Sequence, residues 1–138
     1  MYCLNNGVIW ATRNVGESGT FVANPEDYGN YFNWDDAQKA CPKGWRLPTN
    51  AEFESFSKAI GNKITKNGVK GQVDVDGTVF LPFAGYSYKN LDGIVEKDRI
   101  GSDGDFWSST ANLFIFFGGY NKSTPNKLVG FSVRCVAE

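Results

Sequence analysis

Hydrophobic residues recur at helical spacing in a short segment that begins at Trp34. Trp34, Ala37 and Cys41 occupy positions i, i+3 and i+7, which places them on one stripe of a helix, with the polar residues largely away from it. Asn33 is a suitable N-cap, and the proline that follows Cys41 prevents the helix from continuing. The sequence therefore predicts a helix over residues 34–41.

A second helical pattern follows, with clearer end signals. Thr49 and Glu52 have the spacing of a capping box, in which each side chain accepts a hydrogen bond from the backbone N–H of the other residue. Apolar residues then recur at helical spacing: Phe53, Phe56 and Ile60. Gly61 supplies a stop. We expect a short helix with one buried aromatic face, joined to the first helix by a rigid turn.

Elsewhere the pattern predicts short strands separated by turns. Val73 and Val75 alternate with polar residues, and the Asp-Gly pair that follows predicts a type I′ turn. Residues 79–83 then form the return strand of a hairpin, which is either an edge strand or a strand with a bulge because position 82 is proline. We interpret residues 86–100 as a surface loop that starts with a short strand over residues 86–88. Further strands are predicted at residues 8–12, 106–108, 113–117 and 131–136.

These elements describe one domain of the α+β class. The helices are confined to the first half and strands dominate after residue 61, so we expect a mainly antiparallel sheet. A length of 138 residues suits a single domain with its own core. The 41% hydrophobic and 15% aromatic content, with 16 glycines, indicates a turn-rich globular protein. We therefore expect residues 1–138 to form one domain.

The charge distribution argues against two classes of partner. A formal net charge of −1, without a long run of Lys or Arg, gives no field that would attract nucleic acid. No apolar run approaches the roughly 20 residues that a membrane-spanning helix needs. The first ten residues also lack the basic start and apolar core of a signal peptide. We expect no nucleic-acid partner and no membrane span.

The absence of histidine removes much of ordinary enzyme chemistry. Ser-His and Cys-His pairs and His-ligated metals are excluded, and three dispersed cysteines cannot form a four-cysteine zinc site. Three carboxylate pairs remain, each beside a turn, a helix start or a glycine: Asp35/Asp36, Asp74/Asp76 and Asp103/Asp105. Aspartate at such positions usually satisfies backbone donors. We expect no catalytic site, no cofactor and no metal, with an enzyme built on Asp103 or Asp105 as the rival hypothesis.

An apolar run over residues 113–117 allows two interpretations. In a strand, Phe114 and Phe116 share one face and the alternate residues share the other, so both faces are apolar. Either a second layer of the fold covers both faces, or one face is an exposed aromatic patch of the kind that binds partners. Tyr120, past the strand and beside polar residues, is the better candidate for ligand contact.

The three cysteines allow one disulfide with one thiol left over. A bond between Cys41 and Cys135 would tie the first helix to the last strand, and Cys3 would remain. The alternative is that Cys41 and Cys135 are reduced buried thiols.

Six blocks of sequence, in order from residue 8 to residue 136, point to a family. They are VIWATRNVG (8–16), PEDYGNYF (25–32), CPKGWRLPT (41–49), FLP (80–82), FWSST (106–110) and GFSVRCV (130–136). Together they resemble the Fibrobacter-type major paralogous domain of Bacteroides-group bacteria. That family is similar to C-type lectin domains. The resemblance implies two short helices packed on a twisted, mainly antiparallel sheet, with the chain ends joined by the Cys41–Cys135 disulfide.

A narrower resemblance involves the last third of the chain. The blocks at residues 107–112 and 130–134 bracket an irregular, asparagine-containing segment, which looks like the variable proteins of diversity-generating retroelements. Those proteins display a randomised ligand-binding surface on a lectin-like scaffold. The alternative is an ordinary member of the family whose segment has diverged by drift. Calcium-dependent sugar binding is not expected, because Thr124-Pro125-Asn126 lacks the carboxylate or amide ligand of lectin loops and the sequence at Phe131 replaces the Trp-Asn-Asp strand.

The sequence thus predicts a non-enzymatic module that binds a protein or glycan ligand on a cell surface. The expected binding surface covers residues 111–129, on an extracellular protein, a cell surface or a phage particle. The expected ligand-binding residues combine aromatic anchors with a polar rim: Phe114, Phe116, Tyr120, Asn121, Lys122, Asn126, Lys127 and Leu128. The alternative function is a structural or adhesin domain of a larger bacterial surface protein. The oligomeric state stays open.

Overall fold

The computed structural model describes residues 2–3, 7–58, 60–74, 77–110, 114–117 and 129–138, with the backbone alone for residues 2, 3, 57, 58, 60 and 114–117. The helices are α1 (Trp34–Ala37) and α2 (Asn50–Lys58). The strands in chain order are β1 (Tyr2–Cys3), β2 (Ile9–Trp10), β3 (Trp45–Arg46), β4 (Ile60–Lys66), β5 (Val69–Asp74), β6 (Phe80–Pro82), β7 (Tyr86–Lys89), β8 (Val95–Asp98), β9 (Gly104–Trp107), β10 (Phe114–Phe117) and β11 (Val136–Ala137). The predicted α+β class with mainly antiparallel pairing is confirmed.

Helix α1 starts as predicted but is shorter. The Asp36 backbone N–H donates to Asn33 Oδ1 at 2.8 Å, which is the expected N-cap. The α-helix ends at Ala37, because the next residues continue as tight turns in which Lys39 and Ala40 donate three residues back. The predicted helix over residues 34–41 was therefore too long.

Helix α2 has the predicted capping box. The Glu52 N–H donates to Thr49 Oγ1 at 3.2 Å, and the Thr49 N–H donates to Glu52 Oε1 at 2.8 Å. Phe53 and Phe56 are fully buried. The prediction was wrong at the far end, since the helix stops at Lys58 and Gly61 belongs to β4. Pairing of β4 with β5 determines this boundary, and no local helix signal reports it.

Arg46 of β3 forms a bidentate ion pair with Glu52, at 2.7 and 2.8 Å. This hydrogen bonding lowers the pKa of Glu52 below its ordinary value. The Arg46 side chain is 41% exposed, so solvent screens the pair and its contribution is modest.

We expect Glu52→Gln to lower the free energy of unfolding at pH 7 by about 1 kcal/mol, because the amide keeps an acceptor for the cap but loses the charge. The wild-type stabilisation requires an ionised carboxylate whose folded pKa is depressed. It is therefore complete above the unfolded pKa of about 4.3 and is lost as the pH falls through the folded pKa. Urea denaturation from pH 7 to pH 2 measures the difference. Glu54→Gln is the control, and an unchanged gap at low pH would contradict the assignment.

Strands β4, β5 and β6 form an antiparallel sheet in that order. The β4–β5 hairpin turns at Asn67 and Gly68, whose φ angles are +49° and +82°, as a type I′ turn requires. The Asn-Gly signal was present in the sequence, but β4 was not predicted. Pro82 lies on the edge strand β6, as expected.

The predicted β5–β6 hairpin exists, with a different closure. Val73 pairs with Phe80 in the antiparallel register. The loop is closed by the Asp74 side chain, whose Oδ1 accepts the N–H groups of Thr78 at 2.7 Å and Val79 at 2.9 Å. A two-residue Asp-Gly turn is therefore not the connection, and Asp74 has the structural role that its position suggested.

Strands β7 and β8 form a hairpin where the sequence predicted mainly a surface loop. Tyr86 pairs with Asp98 and Lys89 pairs with Val95. The strand over residues 86–88 was predicted correctly, but its partner was missed because every residue of β8 is exposed and no apolar alternation marks it.

A sheet of four short strands, in the order β1-β2-β11-β3, joins both ends of the described chain. The strand predicted at residues 8–12 is shorter here, at Ile9–Trp10. Of the strand predicted at residues 131–136, only Val136 lies in β11, while Phe131 and Ser132 form isolated bridges. Among the described residues, no helix has the length and apolar character needed to cross a membrane.

Strand β9 separates two hydrophobic clusters. Phe106 packs with Trp10, Phe53 and Phe56 in one cluster, whereas Trp107 packs in the other. Consecutive strand residues point to opposite faces, so adjacent aromatic residues serve different cores. Because all four residues of β9 are buried, the strand is a rigid support for the segments that pair with it.

Candidate functional site

The predicted binding residues divide into two groups. Phe114 and Phe116 lie on β10, of which the structure gives the backbone. The others lie outside the described residues: Tyr120, Asn121, Lys122, Asn126, Lys127 and Leu128. The structure therefore describes the elements that hold the two ends of the predicted surface, residues 111–129.

The outgoing end of the segment is anchored on β9. Strand β10 pairs antiparallel with β9, with Phe114 opposite Trp107 and Phe116 opposite Asp105. The predicted strand over residues 113–117 is thus confirmed for Phe114–Phe117.

The returning end of the segment is anchored on the opposite edge of the same strand. The Trp107 N–H donates to Ser132 O at 3.2 Å, and the Ser132 N–H donates to Asp105 O at 3.0 Å. The described residues at the two ends of this connection, in β10 and around Ser132, therefore lie along opposite edges of β9. Such a closed connection on a buried strand resembles the scaffold-mounted loops that often carry binding residues.

Aromatic rings form a continuous row across the base of this connection. Trp34 contacts Trp107 at a centroid distance of 5.4 Å, and Trp107 contacts Phe131 at 4.5 Å. The row continues through Tyr86, 6.3 Å from Phe131, to Tyr88, 6.1 Å from Tyr86. Two of the rings are buried, Trp107 and Phe131, and the other three are half-buried. We call these five rings the aromatic row.

Trp107 is the fixed centre of the aromatic row. Its Nε1–H donates to Phe32 O at 2.6 Å, and its side chain is 1% exposed. The residues just after it are also held, since the Ser109 N–H donates to Pro48 O at 2.7 Å and the Asn50 N–H donates to Thr110 Oγ1 at 3.1 Å. The predicted rigid turn between the helices thus supports the departure point of residues 111–129.

The return point is held by two close backbone pairings. Gly130 exchanges hydrogen bonds of 2.9 Å with Ser87, and Phe131 exchanges hydrogen bonds of 2.9 Å with Phe32. A Cβ atom at position 130 would collide with the Ser87 side chain and approach Tyr31 Cβ to 2.9 Å, so only glycine fits. The sequence predicted the short strand that contains Ser87, but not its pairing with Gly130.

Arg134 lies fully buried just beyond the return point. Its Nε donates to Asn14 Oδ1 at 2.7 Å, and its terminal nitrogens donate to Ala11 O at 3.2 Å and Phe80 O at 2.8 Å. Burial lowers the pKa of Arg134 to about 9, so the guanidinium is still charged at neutral pH. It joins the last segment to β6 and to the residues after β2. No sequence pattern identified this role.

The structure contains the Cys41–Cys135 disulfide, with a Cα–Cα distance of 6.0 Å. It covalently joins the end of the first helical segment to the last segment of the chain, as the family resemblance implied. The Cys3 side chain lies outside the described part of the structure.

The two carboxylates of the rival enzyme hypothesis are buried. Asp103 and Asp105 both have 0% exposure, and Asp103 Oδ1 accepts from Arg99 Nε at 3.1 Å. Burial raises the pKa of Tyr31 to about 12, and the Tyr31 hydroxyl donates to Ala84 O at 2.6 Å. Within the described ranges, no group of three or more acidic or cysteine side chains is arranged to hold a metal ion.

The β7–β8 hairpin adds features that sequence reasoning missed. The Tyr88 hydroxyl donates to Glu96 Oε2 at 2.8 Å, which raises the pKa of Tyr88. At and beyond the turn, three apolar side chains are exposed: Leu91, Ile94 and Val95. The sequence signal that could have found the turn is Asp92-Gly93, where Gly93 has a φ of +77°.

One family model matches most of the length of this chain. The family model described as Fibrobacter succinogenes major domain matches residues 12–137. The comparisons with curated proteins and with solved structures returned no match.

Proposed function

Because the chain belongs to the Fibrobacter succinogenes major domain family, we propose that it is a non-enzymatic ligand-binding module with a C-type-lectin-like fold. Its ligand would be a protein or glycan on a cell surface, bound by residues 111–129. We place the module outside the cell, on a cell surface or on a phage particle. The Cys41–Cys135 disulfide supports this location, since disulfides persist in oxidising compartments.

One observation carries the proposal. Strand β10 and the residues that follow the segment lie along opposite edges of the buried strand β9, and both are fastened to the same scaffold by the aromatic row and by backbone hydrogen bonds. Loops whose ends are held by a rigid scaffold tolerate sequence change, and this fixation of both ends supports a variable segment between them. Binding loops on rigid scaffolds have this arrangement.

The proposed contacts follow the general anatomy of protein interfaces. Phe114, Phe116 and Tyr120 would be aromatic anchors that lose solvent on binding. The surrounding residues would form a polar rim with one further apolar contact: Asn121, Lys122, Asn126, Lys127 and Leu128. The buried positions of Asp103 and Asp105 support a binding role over acid–base catalysis.

The main test is loss of binding without loss of folding. We expect Phe116→Ala and Tyr120→Ala each to weaken binding to a glycan array or to intact bacterial cells roughly 10-fold or more, as removal of an aromatic anchor does. The melting temperature should change by only a few degrees. The control is Tyr28→Ala, on a loop far along the chain, with unchanged binding. A large fall in melting temperature for Phe116→Ala would assign that residue to the core.

We further propose that residues 111–129 are diversified as in the variable proteins of diversity-generating retroelements. Sequencing the codons for these residues in sibling isolates tests this directly. Changes confined to codons whose template contains adenine are expected. Scattered silent changes would overturn the diversification proposal and leave the binding proposal standing.

A second candidate function is a structural or adhesin domain of a larger surface protein. The exposed apolar side chains of Leu91, Ile94 and Val95 favour it, since contiguous exposed apolar residues often mark a docking surface. Sedimentation at micromolar concentration distinguishes the two functions. Self-association that Leu91→Ser abolishes would support the docking role.

A further inference from the structure

A cationic groove lies between the β4–β5 hairpin and the loop after β8. Its volume is about 300 Å³, at the lower end of the range for small-molecule sites. The residues that matter for its chemistry are Lys63, Thr65, Lys70, Phe83 and Ser102. It shares no residue with the proposed surface at 111–129, and its function would be independent of that surface.

Strand register explains why the two lysines converge. Thr65 pairs directly with Lys70, and the Phe83 N–H donates to Lys70 O at 2.8 Å, so these three residues form one row across the sheet. Directly paired residues in antiparallel strands share a face. Lys63 is two residues from Thr65 and lies on the same face.

The row formed by Phe83, Lys70 and Thr65 runs from the hydrophobic core to the edge strand β4. Phe83 is 3% exposed and belongs to the cluster around Trp10, whereas Thr65 and both lysines are exposed. The face therefore changes from apolar to cationic within three strands. Phe83 forms the apolar floor, and the loop containing Gly101 and Ser102 forms a wall, fixed by the hydrogen bond from Gly101 N–H to Phe83 O at 2.8 Å.

The groove has a charge opposite to that of the chain. Two lysines and no acidic residue line it among the described residues, while the protein carries a net charge of −1. Two ammonium groups with the hydroxyls of Thr65 and Ser102 suit an oxyanion attached to a hydroxylated molecule. A lysine on an edge strand such as β4 can also protect that strand from pairing with another chain, and the test must separate these roles.

We propose that this groove is a binding site for a small oxyanion-bearing ligand, in which Lys63 and Lys70 hold a carboxylate, phosphate or sulfate group. Thr65 and Ser102 hydrogen-bond the rest of the ligand over the floor formed by Phe83. A molecule of monosaccharide size fits the volume.

The test uses the full chain labelled with ¹⁵N and titrated with glucuronate, glucose 6-phosphate and glucose 6-sulfate. We expect at least one of them to shift the amide signals of Lys70, Gly71, Gly101 and Ser102 saturably, with weaker binding at high salt. Glucose is the neutral control and should not bind. Inorganic phosphate and sulfate are titrated in parallel: equal affinity assigns the site to the free ion, and weaker affinity assigns it to the sugar derivative.

Matched variants complete the test. Lys63→Gln and Lys70→Gln are each expected to weaken binding at least fivefold, whereas Lys66→Gln, on the same strand but outside the groove, should change it less than twofold. Absence of saturable shifts in the wild type would overturn the proposal. Equal losses in all three variants would also overturn it, as would self-association of the groove variants in sedimentation without any wild-type binding, which is the result that edge protection alone predicts.

Discussion

Replacing Arg134 with methionine is expected to lower the free energy of unfolding by roughly 3–5 kcal/mol, because buried acceptors left unpaired are each worth about 1–3 kcal/mol. Methionine fills part of the volume but cannot donate to Asn14 Oδ1, Ala11 O or Phe80 O. Replacement of buried charges by apolar residues is often neutral when both partners are removed together. Here two of the acceptors are backbone carbonyls that remain, so the loss dominates.

Urea denaturation at pH 7 measures this effect. Arg13→Met, on the neighbouring loop and exposed, is the matched control, with an expected change within about 0.5 kcal/mol. Arg134→Lys keeps the charge, but one ammonium group cannot reach all three acceptors on the two segments that carry them, so it should be nearly as unstable as the methionine variant. A lysine variant as stable as the wild type would show that charge alone matters there.

The difference in unfolding free energy between the wild type and Arg134→Met should depend on pH, with a defined sign. The folded pKa of Arg134, about 9, lies below that of the unfolded guanidinium. Below pH 9 both states hold the proton and the stability gap is constant. Above it the unfolded state binds more protons than the folded state, so wild-type stability rises relative to Arg134→Met. A gap that narrows above pH 9 would contradict the environment described for this side chain.

Removing the disulfide is expected to have a similar effect through a different cause. Cys41 and Cys135 are 94 residues apart, and in the chain-entropy model closing a loop of that length stabilises the folded state by about 4–5 kcal/mol. The Cys41→Ala/Cys135→Ala double variant should therefore show a much lower urea midpoint than the wild type, and reductant should lower the wild-type midpoint towards it.

Cys3→Ala is the control for the disulfide experiment, because Cys3 takes no part in the bond. It should retain the wild-type midpoint and the same sensitivity to reductant. An oxidised wild type no more stable than the double variant would mean that noncovalent contacts alone hold the last segment. In that case the frame around residues 111–129 would depend on Arg134 and the aromatic row.

These two expectations concern the same structural property. Arg134 and the disulfide both lie within six residues of the point where residues 111–129 return to the scaffold. Each joins this point to elements from the first half of the chain. The proposed binding role of residues 111–129 would need ends that do not move, and both of these anchors lie at one of those ends.

Local signals in the sequence determined the parts of this protein that depend on neighbouring residues. The helix starts were predictable from Asn33, Thr49 and Glu52, because a helix cap is a hydrogen bond between residues only three apart in the sequence. The strand at β10 and the hairpin between β5 and β6 followed from short-range patterning. The family, too, was recognisable from short blocks, and residues 12–137 match its model.

Tertiary structure alone decided the features that depend on distant residues. Helix α2 is followed by a strand because Ile60 pairs with Asp74 of β5. Strand β8 forms because it pairs with β7 and not because its own composition favours a strand. The buried position of Arg134 arises from acceptors up to 123 residues away. Such contacts leave no periodic trace in a single sequence, since the residues that satisfy one another are brought together only when the sheets and the two cores assemble.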